Sequence, residues 1–137
     1  MTDATLRATG ACLCGAVRYE VRGPLRDVVL CHCSRCRRTH GHVAAYAACR
    51  TDDLVLVRDD GLRWYDDEGD RRRGFCATCG ASLFWRAAGR ETTSIAAGSI
   101  DPPTKLETIA QIFVADAGDY YAPCGPGERH DGAQPPG

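Results

Sequence analysis

Three thiols fall within six residues in Cys31-His32-Cys33-Ser34-Arg35-Cys36, and no other feature of the chain constrains its folding as much. A cysteine used for packing is a small hydrophobe and usually stands alone. Three thiolates crowded together converge readily on one soft cation, and zinc is the commonest such partner. A closed structural zinc site takes four ligands, whereas this stretch supplies three. The shortfall points to an open coordination position.

Two further cysteine pairs flank this stretch, Cys12-Leu13-Cys14-Gly15 upstream and Cys76-Ala77-Thr78-Cys79-Gly80 downstream. A glycine follows the second cysteine of each pair, where a chain wrapping round a metal often needs a positive φ. Together the pairs make one closed four-thiolate zinc site. Another partition puts Cys33 and Cys36 with Cys12 and Cys14, leaving Cys76 and Cys79 with Cys31. Two local pairs plus one local triplet are favoured, because that grouping orders the least loop. Nine cysteines would also suit a secreted disulfide scaffold, but the first residues lack a basic start followed by an apolar segment. Paired knuckles in a reducing compartment read as metal ligands, so a cytoplasmic protein is expected.

At 137 residues the chain has the length of one domain, with a modest core helped by a metal staple. A net charge of −1 gives no general attraction to nucleic acid, and no apolar run approaches membrane-spanning length. Residues 16–21 alternate with period two, so Val17, Tyr19 and Val21 share the buried face of a strand that Gly23-Pro24 ends. Residues 28–30 form a short strand that delivers Cys31. Ser34 reads as a helix N-cap and Gly41 as a stop, giving one or two helical turns over 35–39 with Cys36 in the first. Further strands are expected over 43–49, where the alanine-rich pattern also suits a helix, over 54–57 and 62–65, around the second knuckle over 71–75 and 82–85, and over 93–97 and 108–114. A turn or single helical turn is expected over 51–53. Residues 1–9 read as a polar lead. From Ala122 onward prolines and glycines dominate, so residues 123–137 are expected to be a disordered tail. The result is a mainly β domain.

Around the thiols, Arg35, Arg37 and Arg38 read either as a solvated helix face or as groups that offset thiolate charge and hold a substrate carboxylate. His32, between two cysteines in an extended stretch, points away from them and reads as structural. His40 and His42 are surface or hydrogen-bonded histidines, or else a fourth ligand or an acid/base group. Cys49 reads as a core cysteine, with a fallback role as the fourth ligand. Cys124 falls in the tail. The Arg71-Arg72-Arg73 run reads as a charged hairpin strand rather than a nucleic-acid patch, and Trp64, Tyr65, Phe84 and Trp85 as core.

Three segments together resemble the CENP-V/GFA family, named for centromere protein V and the glutathione-dependent formaldehyde-activating enzyme. They are the stretch from Gly10 to Tyr19, the stretch from Cys31 to Arg37, and Phe75-Cys76-Ala77-Thr78-Cys79-Gly80. Ala97-Gly98-Ser99-Ile100-Asp101 and Ile112-Phe113-Val114-Ala115-Asp116 are also similar to its C-terminal half, so the resemblance spans roughly residues 8–122. It implies an Mss4-like β-tent of several short coiled antiparallel sheets with zinc knuckles. It also implies two zinc ions per chain, one structural on Cys12, Cys14, Cys76 and Cys79, and a second, open one on Cys31, Cys33 and Cys36. The founding enzyme condenses formaldehyde with glutathione. His40 and His42, where relatives carry small residues, depart from the pattern.

Two functions therefore stand at this level. One is a zinc-dependent carbon–sulfur lyase, like S-(hydroxymethyl)glutathione synthase, acting on glutathione or a related thiol adduct of a small aldehyde. The other is a binding module with two structural zincs and no catalysis. The three-cysteine count and the lack of a basic surplus favour the enzyme, with no nucleic-acid or membrane partner expected.

Overall fold

In a computed structural model of the chain, residues 5–133 are described. Strands predominate, and the one α-helix among the described residues is seven residues long. The mainly β expectation therefore holds. Among the described residues, no helix is long and apolar enough to cross a membrane. The length suggests one domain, yet the chain divides into two compact units, each built from separated segments. The first takes residues 1–26 and 47–105, and the second takes residues 27–46 and 106–137.

In the first unit, β1 (Ala8–Ala11), β2 (Arg18–Val21) and β5 (Leu54–Arg58) form an antiparallel sheet in the order β1-β2-β5. The strand β1 occupies the end of what reads in the sequence as a polar lead. A meander follows, from β6 (Leu62–Asp66) through β7 (Arg71–Cys76) and β8 (Ser82–Ala87) to β9 (Thr92–Ala96). The strand β4 (Ala44–Arg50), whose second half belongs to this unit, neighbours β9. Residues 51–53, expected as a turn or single helical turn, are a 3-10 turn.

The alternation in β2 does what its pattern requires. Val17, Tyr19 and Val21 are fully buried, and the Tyr19 ring packs edge-on against Phe84 with centroids 5.4 Å apart. Burying a side chain such as Phe84 or Leu83 contributes about 1.5–3 kcal/mol. The Tyr19 hydroxyl remains satisfied inside this core by Ser99 Oγ at 2.7 Å. Of the four aromatic residues read as core, only Phe84 is buried. Tyr65 is exposed, and Trp64 is half-buried, with the guanidinium groups of Arg72 and Arg86 5.1 and 4.8 Å from its ring centre. Two arginines of the run pair within their own hairpin. Arg73 Nε donates to Asp67 Oδ2 at 2.7 Å in a buried pair, and Arg72 Nε donates to Asp66 Oδ1 at 3.1 Å.

In the second unit, β3 (Arg26–Cys31) leads into α1 (Ser34–His40), and the first half of β4 returns beside β3. The strand β10 (Thr108–Ile112) runs parallel to β3, and β11 (Glu128–Arg129) runs parallel to β10 on its other side. These two parallel pairings depart from the antiparallel sheets that the family resemblance implies. The strand β10 ends at Ile112, two residues earlier than expected, because Phe113 takes a left-handed conformation and a 3-10 turn follows at Val114–Asp116. The strand β11 also lies in the stretch expected to be a disordered tail. That stretch carries few apolar residues, but its backbone finds partners. His130 N–H donates to Gln111 O at 2.8 Å, and Phe113 N–H donates to Gly132 O at 2.9 Å. Residues 134–137 of the expected tail lie outside the described residues.

Candidate metal centres

In the first unit, the Sγ atoms of Cys12, Cys14, Cys76 and Cys79 all lie within 4.8 Å of one another. Cys12 Sγ and Cys14 Sγ are 3.7 Å apart, and Cys14 Sγ and Cys76 Sγ are 3.8 Å apart. A zinc–sulfur bond of about 2.3 Å makes the edge of a tetrahedron about 3.8 Å long, so the donor set and its spacing fit zinc.

Each half of the cluster is shaped by its own backbone. Gly15 and Gly80 have φ of 83° and 81°, the left-handed turns that the glycine after each second cysteine suggests. Cys12 N–H donates to Val17 O at 3.0 Å, and Cys76 N–H to Ala81 O at 2.9 Å. Gly61 joins the halves. Its N–H donates to Ala16 O at 3.1 Å, and its carbonyl accepts from Ala77 N–H at 2.7 Å. A Cβ at Gly61 would stand 2.8 Å from Cys76 Sγ, so no other residue fits. The sequence marks Gly61 only as a turn after two aspartates.

Backbone amides prepare the thiols for a cation. The Ala81 and then the Cys14 backbone hold Cys79 down to about 6. Burial opposes ionisation of Cys12, but the Val17 N–H and the thiols of Cys76 and Cys14 outweigh it and lower its pKa. The Ala16 backbone pulls Cys14 down, yet desolvation and the three neighbouring thiols together raise it to about 11.

The second unit brings Cys31, Cys33 and Cys36 together, their Sγ atoms again within 4.8 Å of one another. The strand β3 delivers Cys31 and the first turn of α1 carries Cys36. Cys33 is the helix N-cap, a role the sequence suggests for Ser34. The Cys33 thiol accepts from Cys36 N–H at 3.3 Å, so capping and ligand placement fall to the same atom. Hydrogen bonds from the thiols of Cys31 and Cys36 lead the lowering of Cys33 to about 2, with the Cys36 and Arg35 backbone adding to it. Hydrogen bonding to Cys33 and Cys36, with burial added, raises Cys31. These three thiols fit three corners of a zinc tetrahedron.

No fourth side-chain donor joins them among the described residues. His32 is buried, with Nδ1 2.7 Å from the Tyr121 hydroxyl and Nε2 2.9 Å from Gln111 Oε1. Gln111 Nε2 donates to the carbonyls of Cys124 at 2.9 Å and Pro126 at 3.2 Å, which turns Oε1 toward the imidazole. Oε1 only accepts, so His32 Nε2 donates to it, and Nδ1 pairs with the Tyr121 hydroxyl. Both ring nitrogens are thereby used, and the structural reading of His32 holds. His40 Nε2 meets the Tyr46 hydroxyl at 2.8 Å, and His42 Nδ1 meets the Tyr120 hydroxyl at 2.8 Å. Cys49 lies in β4 within the first unit, where burial first and then Asp53 raise its thiol to about 11. Of the three arginines, Arg35 and Arg38 are exposed and Arg37 is half-buried. Sequence reasoning missed Gln111, Tyr120 and Tyr121. Two adjacent tyrosines at the head of a proline- and glycine-rich stretch were the available signal.

The model of the family described as glutathione-dependent formaldehyde-activating enzyme matches residues 7–116, most of the chain. The chain belongs to that family. Both cysteine groups of the formaldehyde-activating family member lie inside the matched region, whereas Tyr120 and Tyr121 lie beyond it. A crystal structure of a Rhodobacter sphaeroides protein, solved as a structural genomics target, is similar at 32% identity with a TM-score of 0.58. The similarity covers 73% of this chain and 96% of that one. No curated protein matches the chain.

Proposed function

We propose that this chain is a zinc-dependent carbon–sulfur lyase-like enzyme that joins glutathione, or a related thiol, to a small aldehyde and reverses that step. The observation that carries the reading is the contrast between the two thiol groups, one of four and one of three. Cys12, Cys14, Cys76 and Cys79 would hold a structural zinc and staple the two segments of the first unit. Cys31, Cys33 and Cys36 would hold a second zinc. Bound there, that ion supplies an open position that takes an incoming thiol as thiolate at neutral pH.

The chain's own residues set up the rest. Cys33 fixes the start of α1, and the hydrogen bonds of His32 to Gln111 and Tyr121 clamp the peptide between Cys31 and Cys33. In the addition, the sulfur lone pair forms the S–C bond to the carbonyl carbon. The carbonyl π pair passes to oxygen, and a proton from water completes the hydroxymethyl thioether. Arg37 on α1 places positive charge beside three anionic ligands and favours an acidic thiol such as glutathione.

Elemental analysis during a chelator titration tests the metal half of this reading. Two zincs per chain are expected, with the three-thiol site emptying first. Calorimetry in buffers of different ionisation enthalpy should then count one proton released as glutathione binds, and S-methylglutathione should bind far more weakly. Magnetisation-transfer NMR with labelled formaldehyde should show faster exchange into the glutathione adduct with wild type than with Cys33→Ser. One tightly held metal and no acceleration of exchange would reject the enzyme in favour of a zinc-scaffolded binding module.

A further inference from the structure

Three arginines accompany the three-thiol group, and helix geometry separates them. At about 100° per residue, Arg37 lies about 40° from Cys33 and about 100° from Cys36 around the axis of α1. Arg38 lies about 140° and about 160° from the same two cysteines, and Arg35 about 160° and about 100°. Arg37 is therefore the arginine on the thiol face, one turn above Cys33, whose carbonyl accepts from Arg37 N–H at 2.9 Å.

The surroundings of Arg37 are unusual for a cation. Among the described residues its Nε is shut from solvent with no hydrogen-bond acceptor, and its guanidinium has no ion-pair partner. A buried charged donor without an acceptor is costly, and native structures rarely leave one without reason. Gly118, at the head of the segment to Tyr121, lies against the Arg37 side chain. A Cβ at Gly118 would stand 3.3 Å from Arg37 Cδ and 2.5 Å from the Tyr120 ring, so only glycine allows this approach. Tyr120 and Tyr121 hold the segment down by their hydrogen bonds to His42 and His32. The Tyr121 phenol is raised chiefly by burial, and among its smaller influences are both the Arg37 charge and the Cys31 thiol, so the guanidinium and the thiol group share one neighbourhood.

We infer that Arg37 is the seat for a carboxylate of the thiol substrate, held beside the sulfur position by the Gly118–Tyr121 segment. This rests on the thiol-binding reading of the three-cysteine site and narrows its substrates to carboxylate-bearing thiols. An incoming carboxylate supplies the counter-charge that the protein omits, through charge-assisted hydrogen bonds from the guanidinium. Neutral thiols reach the same sulfur position without that contact. The Gly118–Tyr121 segment lies beyond residue 116, where the family match ends, whereas Arg37 lies inside it.

The test uses cobalt-substituted full-length protein, whose visible spectrum reports sulfur entering the metal, titrated with 2-mercaptoethanol, 3-mercaptopropionate and glutathione. Arg37→Gln should weaken 3-mercaptopropionate and glutathione by about tenfold or more and leave 2-mercaptoethanol unchanged. Arg38→Gln should change none of the three. Arg37→Lys, which keeps the charge and most of the stem, should fall between wild type and Arg37→Gln and stands in if the glutamine variant does not fold. Equal weakening of all three thiols, or of none, overturns the Arg37 seat while leaving thiol binding intact. A wild-type spectrum unmoved by every thiol overturns the thiol-binding reading itself, and the seat with it.

Discussion

The two thiol groups differ in the length of chain they close, and that difference predicts how unequally their loss is felt. Cys14 and Cys76 are 62 residues apart, and their cluster ties together the two segments of the first unit. The triplet spans only Cys31 to Cys36, within one segment. Treated as a cross-link on the unfolded chain, closure over 62 residues is worth about 4 kcal/mol, and closure over five is worth about 2 kcal/mol. Against a total stability of about 5–15 kcal/mol, the first loss is severe and the second tolerable. At about 3–5 °C per kcal/mol for a chain of this size, Cys79→Ser should lower the melting temperature by about 12–20 °C and Cys33→Ser by about 6–10 °C. These are ceilings, because three thiols of the first cluster and two of the second remain. Thermal melts by circular dichroism, paired with zinc content, supply the measurement. Cys33→Ser should stay folded with one zinc per chain, and Cys79→Ser should lose cooperative melting at physiological temperature. Equal falls in the two variants would refute the chain-closure argument and make the triplet as structural as the tetrad.

Two smaller predictions follow from buried polar groups. Tyr121→Phe deprives the buried His32 Nδ1 of its 2.7 Å hydrogen bond and should cost about 1–3 kcal/mol, read as a lower melting temperature with both zincs retained. Loss of zinc from this variant would mean that the clamp on His32 also positions the ligands. For Cys49, burial and Asp53 raise the folded thiol to about 11 against an ordinary value of 9.0, so the folded state keeps its proton longer than the unfolded state. Its contribution to stability is complete below pH 9 and is lost as pH rises toward 11, so the alkaline fall in melting temperature should be shallower in Cys49→Ala than in wild type.

Part of the site was legible in the sequence because its determinants are local. Cysteines two or three residues apart, followed by glycine, can wrap one ion whatever the rest of the chain does, and Gly15 and Gly80 took the left-handed turns that such wrapping needs. Strand periodicity is equally local, and the period-two pattern placed Val17, Tyr19 and Val21 in the core. The helix end at Gly41 could be read from one residue, whereas its start moved from Ser34 to Cys33 because a clustered thiol made the better acceptor.

What only the tertiary structure decided depends on residues far apart in the chain. Gln111 and Tyr121 reach the ring of His32 across 79 and 89 residues, and no periodicity announces a side-chain hydrogen bond over that span. The parallel pairing of β10 with β3 and β11 is likewise invisible in any one strand, because a strand's pattern records which face is buried and not its neighbour's direction. Composition marked residues 123–137 as a disordered tail, but among its described residues β11 pairs with β10 and backbone hydrogen bonds join His130 to Gln111 and Phe113 to Gly132. The sequence by itself determined which atoms can hold metal. Long-range packing determined what lies against Arg37, because the fold alone brings Gly118 to its side chain.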